Sequence, residues 1–209
     1  HREVEMEVED GKLLIHSNHL EQTLWLSDEA NGFSKEKISY SKEFDRINKV
    51  EAVTYVPNGN RYRKLVVNAK DLEPKNPTSG GIFYDDNMQL EFNYPGITNG
   101  AVTELEYSET LLDPHFFGSF YFQGFIPNEE AKISITFPEG LKLKYLLLND
   151  SGRIDFQEES KRKTTTWTWT AKSIKGMDYE SGAPNYRNYL AHIQFFVEEY
   201  PTESGAVPV

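Results

Sequence analysis

Lys163-Thr164-Thr165-Thr166-Trp167-Thr168-Trp169-Thr170 decides the fold class of this chain. In an extended strand Trp167 and Trp169 fall on one face, while Thr164, Thr166, Thr168 and Thr170 fall on the other. Threonine and tryptophan both suit a pleated surface, so pattern and propensity agree on strand. Working outward, the same period of two recurs. Ile133, Ile135 and Phe137 alternate with Lys132, Ser134 and Thr136; Met88, Leu90, Phe92 and Tyr94 alternate with Gln89, Glu91 and Asn93; Leu141, Leu143, Tyr145 and Leu147 flank Lys142 and Lys144.

Turn signals separate these runs at the short spacing of an all-β fold. They fall at Asp10-Gly11, Pro74 to Gly81, Tyr94-Pro95-Gly96, Pro127-Asn128, Pro138-Glu139-Gly140 and Asn149 to Gly152. At Val56-Pro57-Asn58-Gly59 proline presets φ for the first central position of a type I turn, and Gly59 suits a bulge of positive φ. A hairpin is predicted there between Lys49 to Val56 and Arg61 to Asn68. Helical periodicity surfaces only weakly, between Ser34 and Ile47, leaving room for one short helix. After a last strand from Tyr189 to Val197, the stretch Pro201 to Val209 has two prolines, a glycine and no periodicity. The expected architecture is all-β, a β-sandwich of immunoglobulin-like or larger antiparallel type with little helix. It forms one domain over 1–200, with 201–209 as a linker toward a further domain.

Composition bounds the function. With 13 Phe and 12 Tyr among 209 residues, bulky side chains can fill a core without disulfides or metals. There is no cysteine, which removes disulfides, thiolate ligands and every cysteine nucleophile. Lys and Arg total 22 against 33 Asp and Glu, and a net charge of -11 repels nucleic acid and anionic headgroups. No apolar run approaches the roughly 18 residues of a membrane span, so membrane insertion is not expected. Because the chain begins at His1, any signal segment is expected upstream of it.

Nucleophile-elbow, phosphate-loop, dinucleotide and zinc-helix motifs are all missing, and no catalytic residue, metal or cofactor is assigned. His16 and His19 are close enough in sequence to share a metal if the backbone turns between them, but on a strand they face opposite sides. Asp85-Asp86-Asn87 reads as a hairpin turn before it reads as a calcium loop. The adjacent acids Glu129-Glu130, Glu158-Glu159 and Glu198-Glu199 point apart on strands, whereas glycoside hydrolysis needs two carboxylates facing across a cleft. His115 has no evident nucleophile beside it. Trp167 and Trp169 suit a core, with threonine turned to water, although a shared face of flat rings would also stack on sugars. Phe116, Phe117, Phe120, Tyr121, Phe122 and Phe125 place aromatics on both sides of a strand, as at an interface. Trp167, Trp169 and Tyr121 are therefore the candidate binding residues, for a protein or glycan ligand.

Four stretches taken in order carry a family resemblance. They are Lys49-Val50-Glu51-Ala52-Val53-Thr54-Tyr55-Val56-Pro57-Asn58-Gly59; Tyr94-Pro95-Gly96-Ile97 with Gly100-Ala101-Val102-Thr103-Glu104-Leu105-Glu106-Tyr107; Phe122-Gln123 before Pro127; and Trp169 through Ser173-Ile174 and Glu180 to Pro184. From about Tyr40 to Phe196 the chain resembles the domain of unknown function found N-terminal to transglutaminase-like cores in secreted or envelope proteins of Gram-negative bacteria. The resemblance implies a non-catalytic sandwich in the periplasm or at the cell surface. Its partner would be a downstream papain-like core that carries the Cys, His and Asp.

Overall fold

The computed structural model describes residues 1–76, 86–178, 182 and 185–209. It is all-β, with 63% strand and no helix of seven residues or more. The strands run β1 Arg2–Glu9, β2 Lys12–Leu24, β3 Lys35–Ser41, β4 Asp45–Asn58, β5 Arg61–Val66, β6 Asn87–Asn93 and β7 Val102–Leu111. They continue with β8 Ser119–Tyr121, β9 Asn128–Pro138, β10 Lys142–Leu148, β11 Ile154–Lys161, β12 Thr164–Ile174, β13 His192–Thr202 and β14 Gly205–Pro208.

The chain divides into two compact units, one of His1–Ser17 with Leu111–Val209 and one of Asn18–Thr110. In unit 1 the order is β11-β12-β9-β1, with the first part of β2 beside β1. A second layer pairs β10 and β14 with β13, and β8 joins β13 as well. The pairing of β1 with β9 is parallel, a departure from the wholly antiparallel expectation. Alternation on β9 buries Ile133, Ile135 and Phe137 as predicted, and Trp169 on β12 is 1% exposed. Trp169 meets Tyr145 of β10 at 4.9 Å and Phe195 of β13 at 5.4 Å between ring centroids, so the two layers close on aromatic contacts.

In unit 2 the rest of β2 runs beside β7, then β4, then β5, and β3 pairs with β6. Ile38, Ala52, Leu90, Phe92, Tyr94, Ile97 and Leu105 form its buried core.

Three expectations change in detail. The region Ser34 to Ile47 holds β3, a turn at 42–44 and the start of β4, not a helix: Ile38 is buried between exposed Lys37 and Ser39, and β6 supplies the hydrogen-bonding partner that a local pattern cannot show. The β4–β5 turn is Gly59-Asn60, because Pro57 pairs with Tyr62 and Asn58 with Arg61 inside the ladder. Gly59 does take positive φ, at 60°. The tail 201–209 does not run free: Pro201 and Thr202 end β13, and Gly205, at φ 124°, turns the chain into β14. Asp85, Glu180, Pro184 and the stretch 77–81 fall outside the described residues.

Candidate functional site

Of the candidate binding residues, Trp169 is enclosed. Its ring meets Trp167, Phe156, Tyr145 and Phe195, and its buried Nε1 has no hydrogen-bond partner among the described residues. Cross-strand pairing sets this cluster, since Phe156 lies opposite Trp169 and Glu158 opposite Trp167. Trp167 is half-buried at the rim, and its Nε1 donates to Glu158 Oε2 at 2.9 Å. A platform of both tryptophans is thus not present; what reaches water is a rim of Tyr145 at 39%, Phe156 at 41% and the edge of Trp167. Tyr121 stands apart from them, half-buried on β8 and stacked on His192 at 4.8 Å. His192 is itself buried and donates from Nδ1 to the Leu190 carbonyl at 2.8 Å, which fixes the ring. In the phenylalanine-rich segment Phe117 and Phe122 are buried, whereas Phe116 and Phe125 are exposed.

The adjacent acids lie on strands, where successive side chains point apart, and four of the six meet cations. Glu130 meets His1 and Lys172, Glu159 meets Lys161, Glu198 meets Lys144 and Glu199 meets Lys142. His16 and His19 do not share a site. His16 has its ring nitrogen near the carboxylates of Glu7 and Glu9, the three ligand atoms lying within 4.8 Å of one another on an exposed face of the β1–β2 hairpin. His19 pairs with Glu109 at 2.9 Å and stacks on Tyr107 at 4.1 Å, a packed pair with both side chains under one fifth exposed. Asp113 accepts from the backbone and ring nitrogens of His115, at 3.0 and 2.7 Å, and caps the turn Pro114–Phe116. Burial opposes ionisation of Asp113, but the His115 contacts outweigh it and hold its pKa below the usual range.

A constellation that the sequence does not announce lies in unit 2. Glu36 faces inward on β3, on the side that buries Ile38, and pairs with Phe92; Tyr94 follows on the same side, its N–H donating to Ser34 O at 2.9 Å. Tyr94 is 6% exposed, and burial, then Glu36 and Glu21, push its pKa well above that of a free phenol. Burial and the Glu36 carboxylate likewise raise Glu21. Glu21 is nevertheless exposed in area, so water still reaches the carboxyl that burial first and the Glu36 charge second push upward. Perturbed groups that answer to one carboxylate mark a site worth testing. The available sequence signal was acidic residues at the inward positions of alternating strands. The chemistry here is acidic: the group can attract a cation or hold a proton, but Tyr94 stays neutral and is a poor nucleophile.

The fold and its sites thus define an all-β module whose acid-rich clusters lack a thiol. Comparison with known proteins places it further. The family DUF3857, a "Domain of Unknown Function with solved-structure structure", matches residues 17–177. The chain belongs to that family. Among solved structures it is similar to a "putative protease" from Parabacteroides distasonis ATCC 8503, with a TM-score of 0.71 and 19% identity over 93% of this chain and 39% of that one. At that identity the likeness concerns the fold, and this chain spans about two fifths of the length of the structure it matches. No curated protein matches it.

Proposed function

We propose that this chain is a non-catalytic β-module that positions or presents substrate to a transglutaminase-like, papain-type core in a larger extracytoplasmic protein. The observation that supports it is coverage: 93% of this chain aligns with 39% of a protein described as a "putative protease", so most of that protein lies outside the shared fold. The absence of cysteine from all 209 residues agrees with a role beside a thiol catalyst rather than as one. The test is hydrolysis and acyl transfer on model peptides by the purified chain, alone and joined to the remainder of its parent protein. Activity is expected only in the joined form. Turnover by the chain alone that disappears on Glu21→Gln or His19→Ala would overturn the reading.

The half-exposed rim of Tyr145, Phe156 and Trp167 favours a second reading, a glycan-binding module. Binding on a glycan array that is lost on Phe156→Ala would replace the first reading.

A further inference from the structure

β5 carries Arg61, Tyr62, Arg63, Lys64, Leu65 and Val66, and among the described residues it pairs with β4 alone. The phase of that ladder follows from the bond of Val67 N–H to Ala52 O at 2.9 Å. Antiparallel pairs alternate, so Arg61, Arg63 and Leu65 also turn their backbone groups toward β4. Tyr62, Lys64 and Val66 then turn theirs outward, where no strand among the described residues meets them. Tyr62 is 59% and Val66 66% exposed. Leu65, on the opposite face, anchors the strand by lying against the turn at Gly96.

Arg61 and Arg63 have no carboxylate partner among the described residues, and Lys64 lies over the Tyr55 ring at 5.9 Å. Six described lysines on other strands do pair with acids, Lys35 with Glu91 and Lys49 with Glu51 and Glu106 among them. Three cations without a carboxylate partner among the described residues thus share six residues of one sheet edge, in a chain with eleven surplus negative charges. Charged edges often guard against pairing between copies. A basic edge fails as such a guard here, because another copy of this acidic chain attracts it. Apolar side chains at the outward positions Tyr62 and Val66 also work against a guarding role.

We infer that β5 is a docking edge for an extended acidic segment of a partner polypeptide, which adds to the sheet as a further strand. Main-chain bonds to Tyr62, Lys64 and Val66 supply binding, and Arg61, Arg63 and Lys64 select acidic side chains. The inference is read from unit 2 alone and does not rest on the presenting role proposed above.

The probe is a fluorescein-labelled ten-residue peptide of alternating glutamate and valine, with a lysine–valine peptide as control. Anisotropy should report binding of the acidic peptide only, and NMR should place the largest amide shifts at Tyr62, Lys64 and Val66. Joint Arg61→Glu, Arg63→Glu and Lys64→Glu replacement, on exposed positions, should weaken binding by about tenfold or more with the thermal midpoint kept, as should raising salt well above physiological strength. N-methylation of alternate peptide residues should abolish binding. Equal binding of the N-methylated peptide would reduce the edge to charge attraction and overturn the strand-addition claim. So would amide shifts that map elsewhere. Sedimentation showing that copies of the chain pair through β5 instead, with no peptide bound, would also overturn it.

Discussion

Trp169 and Trp167 sit two residues apart, yet their energetics differ. Truncating a fully enclosed tryptophan removes its transfer energy and leaves a cavity, so Trp169→Ala is expected to cost about 3–5 kcal/mol and Trp167→Ala roughly half as much. Urea unfolding followed by circular dichroism measures both; equal costs would mean that the rim is as tightly packed as the centre. Tyr94 gives a pH signature. Its folded pKa is raised by burial and by Glu36 and Glu21, so its contribution is fully present below the unfolded value of about 10 and is lost as pH rises beyond it. Urea midpoints taken between neutral and alkaline pH should fall above about pH 10, and Tyr94→Phe should flatten that part of the slope. The sequence pattern revealed which face of β12 is buried, since period two is a local property. It could not show that Glu21, Glu36 and Tyr94 share surroundings, because their meeting depends on which strands become neighbours.

Among elements, turns were legible where aspartate, glycine or asparagine takes positive φ, in the β1–β2 hairpin at Asp10-Gly11 and in the connections between sheets at Gly140 and Asn149. The β4–β5 turn slipped by two residues because Pro57 was read as a turn former, whereas the ladder tolerates it opposite Tyr62. β3 escaped notice for a different reason: its lysines and glutamates mask the alternation until β6 pairs with it. The turn after β6 tests how tightly that unit is built. Gly96 has φ 69°, and a Cβ there would lie 2.7 Å from Leu65 Cδ1 and 3.2 Å from Val56 Cγ2. Gly96→Ala therefore combines left-handed strain with overpacking, and a loss of about 2–4 kcal/mol is expected in urea unfolding. Gly11 has φ 75°, and a Cβ added there would meet nothing within 4 Å, so Gly11→Ala bears the strain alone and should cost about 1–2 kcal/mol. If the two substitutions cost the same, Leu65 and Val56 yield freely, and the anchoring of β5 through Leu65 is weaker than its packing implies.

For the whole molecule the governing quantity is charge. Its ion pairs are predominantly exposed, as with Lys35–Glu91, Lys144–Glu198 and Lys161–Glu159, and exposed pairs contribute at most about 1 kcal/mol each. Against them stands the mutual repulsion of surplus carboxylates, including the like-charged Glu7 and Glu9 on one face of β1. Salt screens both effects, but repulsion acts over longer distances and among more groups, so its relief should dominate. Raising sodium chloride from about 20 mM to about 300 mM shortens the screening length from over 20 Å to below 8 Å, and the thermal midpoint should rise by a few degrees. The same salt should weaken acidic peptide binding at β5, so stability and binding are expected to move in opposite directions. Calorimetry and anisotropy on one set of samples measure both. A midpoint that falls with salt would show that the exposed pairs outweigh the repulsion. The β5 cations would then lack carboxylate partners among the described residues despite, rather than because of, the acidic field around them.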